Sequence, residues 1–238
     1  MRRDLRIETM AVHSGKEVAP PAGAVVFPIH QSAVYTLPPG APYHDIPYGR
    51  LSNTPSQLHL HERLRGLEGA EAAVATASGM AAVTTTLLAL MRQGDHLLVG
   101  DSLYGGTHHF LTQRAPDLGW AYTFVDAHDP DSWAAAATPK TKVFLVESIT
   151  NPLVKVPRLR EVVDFCRKAK LVSIVDNTFA SPVNFRPLDL GFDIVFHSAT
   201  KYLNGHSDLI AGCVMGRTEH LELIRRALNS YGGSLDPH

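Results

Sequence analysis

The chain has 238 residues, 45% hydrophobic and 19% charged, an ordinary balance for a soluble globular protein and enough length for one large domain with a small arm. Its 22 basic residues face 23 acidic ones, a formal net charge of -1, which speaks against nucleic acid and anionic membrane surfaces as partners. Two cysteines (Cys166 and Cys213) make no disulfide framework, the first ten residues lack the apolar core of a signal peptide, and no apolar run can span a bilayer, so the expected location is the cytoplasm.

Residues 1–50 read as an irregular arm, because Pro20, Pro21, Pro28, Pro38, Pro39, Pro42 and Pro47 deny it long regular elements. Such an arm is expected to lie on another surface, such as that of a second subunit. Leu60, Leu64 and Leu67 recur at helical spacing and predict a helix over Pro55–Leu67. A strand–helix alternation follows. Strands are predicted at Ala72–Ala77, His96–Val99, Ala121–Val125, Lys142–Val146, Leu171–Val175, Ile194–Phe196 and Ile210–Met215. Helices are predicted at Gly79–Met91, Gly106–Gln113, Ser132–Ala137, Arg158–Lys168 and Glu219–Asn229. Runs such as Val143-Phe144-Leu145-Val146 are apolar without interruption, as strands buried on both faces are. The fold class is therefore α/β, a mostly parallel sheet flanked by helices, with ligands expected at the carboxyl ends of the strands.

Several residues with chemical capacity fall at those strand ends. Lys201 follows a strand and the small hydroxyls of Ser198 and Thr200, which suit a phosphate. Burial there would weaken its preference for charge and make its amine nucleophilic; the competing reading is a solvated lysine at a loop start. Asp176 ends a buried strand and needs a cationic partner, although a cap or turn role is equally open. Ser78-Gly79-Met80 opens a helix, where free N–H groups attract phosphate, or where Ser78 is simply an N-cap. Tyr104, followed by Gly105-Gly106-Thr107, could stack on a planar ring or merely cover the core. Arg50, beside Tyr48, could grip a phosphate or make a surface ion pair. Asn151-Pro152, in the segment begun by Glu147, could be a plain turn. A metal centre is not expected. His59 and His61 are two apart on a helix, His108 and His109 are adjacent, and both pairs diverge.

In this order, the blocks resemble those of the cysteine/methionine-metabolism (transsulfuration) family of pyridoxal-phosphate (PLP) enzymes. They are Tyr48-Gly49-Arg50, Leu67 to Glu71, Ser78 to Ala82, Gly94-Asp95-His96, Tyr104 to Thr107, Glu147 to Pro152, Asp176 to Phe179, and Ser198 to Asp208. The likeness covers essentially the whole chain. It implies PLP-dependent transferase fold type I, with residues 51–238 as the PLP-binding large domain. It implies that Lys201 holds PLP as an internal aldimine and later moves protons, and that Asp176 keeps the pyridine nitrogen protonated. Tyr104 is implied to stack on the ring and assist catalysis. Gly79, Met80, Ser198 and Thr200, with Ser78, are implied to hold the phosphate, and Asn151 to contact the oxygen side of the ring. Tyr48 and Arg50 are implied to reach the phosphate of a neighbouring subunit, hence a homodimer or homotetramer.

The activity implied is a lyase or transferase of small sulfur amino acids, of the cystathionine gamma-lyase or gamma-synthase type. Cystathionine beta-lyase and O-acyl-homoserine sulfhydrylase come next. The spacing of Tyr48, Ser78, Tyr104 and Lys201 disfavours an aminotransferase or a desulfurase. Three departures stand out: Leu51 to Ser56 replaces the family's usual Gly-Asn-Pro-Thr, His109 stands where some gamma-lyases carry arginine, and Gly106 stands where methionine gamma-lyases carry cysteine. The family's C-terminal domain is not in this sequence, so a non-catalytic cofactor-binding fragment is a reading of a different class.

Overall fold

The computed structural model describes residues 5–15, 19–37, 39, 40, 42 and 46–237. Met1 to Asp4, Pro38 and His238 lie outside the described residues. Seven strands form one sheet: β1 (Ala72–Thr76), β2 (His96–Gly100), β3 (Ala121–Val125), β4 (Thr141–Glu147), β5 (Val172–Asp176), β6 (Ile194–His197) and β7 (Gly212–Gly216). Their spatial order is β1-β7-β6-β5-β4-β2-β3. Every pairing from β6 to β3 is parallel, whereas β7 runs antiparallel to both β6 and β1. One strand thus opposes six, so the expected mostly parallel sheet holds, with β7 as its exception.

The apolar runs produce this sheet because both of its faces are covered. Along β4, Val143 and Leu145 enter the core on one face, while Phe144 and Val146 enter the core on the other. The same alternation places Leu97 and Val99 of β2 opposite Leu98, and Ile194 and Phe196 of β6 opposite Val195. Each buried Leu, Ile, Val or Phe contributes roughly 1.5–3 kcal/mol of hydrophobic stabilisation. On one face lie α3 (Gly79–Leu90) and α9 (Thr218–Tyr231), through Val83, Leu87, Ile224 and Leu228. On the other face lie α2 (Pro55–Glu68), α5 (Pro130–Ala136) and α6 (Leu159–Ala169). α6 turns Leu159, Val162, Val163 and Cys166 inward and leaves Glu161, Asp164, Arg167 and Lys168 exposed, the spacing of an amphipathic helix. Trp133 of α5 is fully buried against Phe144 and donates its indole N–H to the Asp126 carbonyl at 2.8 Å.

Some expectations need correction. The arm is not wholly irregular, since α1 (Ile7–His13) forms two turns and packs against α2. Two short helices, α7 (Ser181–Asn184) and α8 (Pro187–Leu190), follow β5 where none was expected. The last strand begins at Gly212 rather than Ile210, which is 69% exposed. Helix α4 (Gly105–Gln113) follows β2 as anticipated. The unusual Leu51 to Ser56 segment still launches α2 in an ordinary way: Thr54 is the N-cap, and the Gln57 side-chain carbonyl accepts the Thr54 N–H at 3.1 Å. Gln57 also donates to the carbonyls of Gly49 and Leu235, tying the arm to the last described residues.

Candidate active site

The carboxyl ends of β1, β2, β4, β5 and β6 converge on a cavity of about 270 Å³. Its lining includes Ser78, Gly79, Met80, Tyr104, Asn151, Asp176, Ser198, Thr200 and Lys201. Nine of the eleven expected site residues thus meet in one place. Tyr48 and Arg50 do not line it. Arg50 donates to the Asn229 carbonyl at 2.7 Å, and its guanidinium lies 5.3 Å from the centre of the Tyr48 ring.

Each wall follows from local sequence. Ser78 caps α3, its hydroxyl accepting the Ala81 N–H at 3.0 Å, so the N-cap reading of Ser78 is realised. The capping leaves the N–H groups of Gly79 and Met80, the first two residues of α3, unpaired by the helix ladder and available to an anion. A side-chain carbon at Gly79 would lie 2.7 Å from Ser198 Cβ, so only glycine lets α3 approach the β6–β7 loop this closely. Tyr104 stands before α4 with its ring half exposed.

Asp176 lies beside Glu147 in the β4–β5 register and beside Phe196 in the β5–β6 register. Burial raises its pKa, while the hydroxyl and amide of Thr178, and the nearby His197, act the other way. Both Thr178 donors go to Oδ1 of Asp176, the amide at 2.9 Å. Oδ2 has no hydrogen-bond partner among the described residues. Thr178 also accepts the Ser198 N–H at 2.9 Å, so one hydroxyl links the end of β5 to the start of the Lys201 loop. Thr200 is fixed by reciprocal bonds with Ala211, 3.1 and 3.0 Å long.

Lys201 itself is exposed, which corrects the expectation of a buried amine. It lies on the return loop just past the edge of β6, where the sheet and its helices no longer cover it.

Beneath the cavity lies a second layer of polar residues. Glu68, at the end of α2, and His197, at the end of β6, are both fully buried and 2.6 Å apart. Asn177 donates to the same Glu68 oxygen at 3.2 Å and to the Phe185 carbonyl at 2.8 Å. His197 precedes Ser198 and Asn177 follows Asp176, so this cluster anchors two cavity residues from behind.

Sequence reasoning missed this layer, together with Thr178 and Glu147 as individual contributors. Glu147 is 5% exposed and accepts the N–H groups of Tyr104 and Asn151. Burial, and then the Asp176 charge, raise its pKa to about 7 against the pull of those two N–H groups. The first histidine pair diverges: His59 stacks on Phe27, whereas His61 is buried near Ser52.

The arrangement suits a flat, anionic cofactor with a basic ring nitrogen. The helix N-terminus can take its phosphate, the open oxygen of Asp176 its ring nitrogen, and Lys201 its carbonyl carbon.

Similarity to known proteins agrees with that chemistry. A family model described as Cys/Met metabolism PLP-dependent enzyme matches residues 8–238. The chain is 36% identical to a probable cystathionine gamma-synthase of Herpetosiphon aurantiacus, covering 98% of this chain and 74% of that protein. It is 39% identical to a cystathionine gamma-lyase of Bacillus subtilis (strain 168), covering 98% of this chain and 61% of that protein. The crystal structure of cystathionine gamma-lyase from Lactobacillus plantarum complexed with L-serine superposes with a TM-score of 0.91 at 36% identity, covering 98% of this chain and 61% of that one. No helix among the described residues is long and apolar enough to cross a membrane.

Proposed function

Since the chain belongs to the Cys/Met metabolism family of PLP-dependent enzymes, we propose that it is the cofactor-binding part of a lyase or transferase of small sulfur amino acids. The reaction is elimination or replacement at the beta or gamma carbon, of the cystathionine gamma-lyase or gamma-synthase type. The observation that carries this is the convergence of Lys201, Asp176, Tyr104 and the start of α3 on one cavity. PLP, when bound, supplies an electron sink for the pair left when a bond at the substrate alpha carbon breaks.

The chain's own residues do the rest. Lys201 would hold the cofactor through its amine, and the same amine, when free, would take the alpha proton of the substrate and return it elsewhere. Asp176, anionic, would hold a proton on the ring nitrogen, and that cation would offset the cost of burying the carboxylate. Tyr104, which lines the cavity, would pack on the ring. Ser198, Thr200 and the N–H groups of Gly79 and Met80 hold the phosphate, and Asn151 lies toward the oxygen side of the ring. We further propose that residues 1–50 reach a second subunit, carrying Tyr48 and Arg50 to its phosphate in a homodimer or homotetramer. The exposure of Val25, Val26, Ile29 and Val34, between 62% and 91%, supports this. Two free, buried cysteines fit a cytoplasmic location.

The test is direct. Incubated with PLP and passed through gel filtration, the chain should retain a visible absorbance band. Borohydride should then fix the label to Lys201 in a peptide map. Lys201→Ala should lose both signals. A wild-type chain that elutes colourless would refute the cofactor site.

A further inference from the structure

Glu147 ends β4, and neither of its oxygens is idle. Oε1 accepts the backbone N–H of Tyr104 at 2.6 Å, and Oε2 accepts that of Asn151 at 3.1 Å. These amides belong to different connections: one follows β2 and leads into α4, and the other follows β4. Both residues line the cavity, as does Glu147. One buried carboxylate therefore fastens two of its walls together.

The Tyr104 side chain has little else to hold it. Its hydroxyl has no hydrogen-bond partner among the described residues, and the residue is 50% exposed. The ring rests over Gly106, where a side-chain carbon would lie 2.5 Å from ring atom Cε1 and 3.1 Å from the Met80 sulfur. Steric contact limits how low the ring can settle, and the main-chain anchor at Glu147 limits how far it can lift. Glu147 is also the register neighbour of Asp176. The carboxylate bound to the two amides is thus built on the same row as the one left open to the cavity.

We propose that Glu147 is a positioning residue for the cofactor: it sets the height and tilt of the Tyr104 ring, and the place of Asn151, relative to Asp176. The inference rests on the PLP reading of the cavity. The chemistry makes Glu147 hard to replace. Glutamine keeps the length and one acceptor, but turns an amide N–H donor toward the second N–H. Alanine removes both acceptors.

The experiment compares wild type, E147Q and E147A, each titrated with PLP. It reads the dissociation constant, the ratio of visible circular dichroism to absorbance of the bound cofactor, and the thermal midpoint of the cofactor-free chain at pH 8. Charge-assisted bonds to two amides predict a loss of PLP affinity of about fivefold for E147Q and about 30-fold for E147A. The dichroism ratio should fall in the same order, because the ring no longer sits in one asymmetric pose. The midpoint of cofactor-free E147Q should stay at or above that of wild type. Wild-type affinity and dichroism in E147Q would overturn the proposal. So would losses that appear only alongside a lowered midpoint in E147Q, which would make Glu147 a general folding residue. Should E147A not fold, E147Q alone decides. A wild-type chain that binds no PLP fails the cofactor reading itself, a result distinct from a variant that binds as wild type does.

Discussion

Gly79 and Ser198 approach so closely that a methyl group on Gly79 would lie 2.7 Å from Ser198 Cβ and 3.0 Å from its Cα. Neither is the free end of a flexible side chain, so Gly79→Ala must push α3 or the Lys201 loop aside. The expected cost is about 1–3 kcal/mol, taken from PLP affinity because both displaced parts are the proposed phosphate holders. Equilibrium titration with PLP should therefore show about tenfold or weaker binding, with far-ultraviolet dichroism unchanged. Asp176 offers a second test at this scale. Asp176→Asn keeps the Thr178 bonds but offers the ring nitrogen no charge, so the cofactor should bind more weakly and the 2-fold arrangement of donors at Oδ1 should persist. Of the cavity's residues, the sequence made legible those with chemistry of their own: Lys201, Asp176, Tyr104 and the opening of α3. It did not make legible Glu147, Thr178 or Glu68. Glu147 binds main-chain groups and Glu68 a residue 129 positions away, and no local pattern marks such a carboxylate; Thr178 binds its neighbour Asp176, but its second contact, the Ser198 N–H, lies 20 positions on.

Elements were readable in proportion to their length and burial. β2, β4 and β5 lie within a residue of their expected bounds, because strands covered on both faces leave unbroken apolar runs. α7 and α8, four residues each, are too short for a period to emerge. The reversed direction of β7 leaves no trace either, since a strand buried on both faces reads the same in both directions. Where elements meet, the Glu68–His197–Asn177 cluster fastens the end of α2 to the ends of β5 and β6. Its members are almost fully shielded from water, so Glu68→Ala leaves a buried imidazole and a buried amide without their shared acceptor. That substitution should cost roughly 3 kcal/mol or more in urea denaturation. Leu145→Ala, on a strand covered on both faces, should cost about 2–5 kcal/mol by the same measurement. The two should differ in PLP binding: Glu68→Ala should weaken it further, since it unfastens the neighbours of Asp176 and Ser198, whereas Leu145→Ala should act on stability alone.

At the scale of the whole molecule, pH dependence follows from the carboxyl groups at the cavity floor. Glu147 is raised to about 7 from an ordinary 4.5, so the folded chain holds its proton more tightly than the unfolded chain does. That preference is fully present below the unfolded value and is lost as pH rises through about 7, with Asp176 acting in the same direction. The loss is on the order of 3 kcal/mol. Thermal midpoints of the cofactor-free chain should fall from pH 5 to pH 8, and E147Q should flatten the fall. An unchanged slope in E147Q would place the titration elsewhere. The single reversed strand carries a further consequence, for the order of events during synthesis. β7 is inserted between β6 and β1, and β1 has no other strand neighbour among the described residues. Residues 72–76 must therefore wait for residues 212–216 to leave the ribosome before their ladder can close. A nascent chain halted ahead of Gly212 carries β1 as an unpaired, aggregation-prone edge, and this side of the sheet cannot close until residues 212–216 have been made.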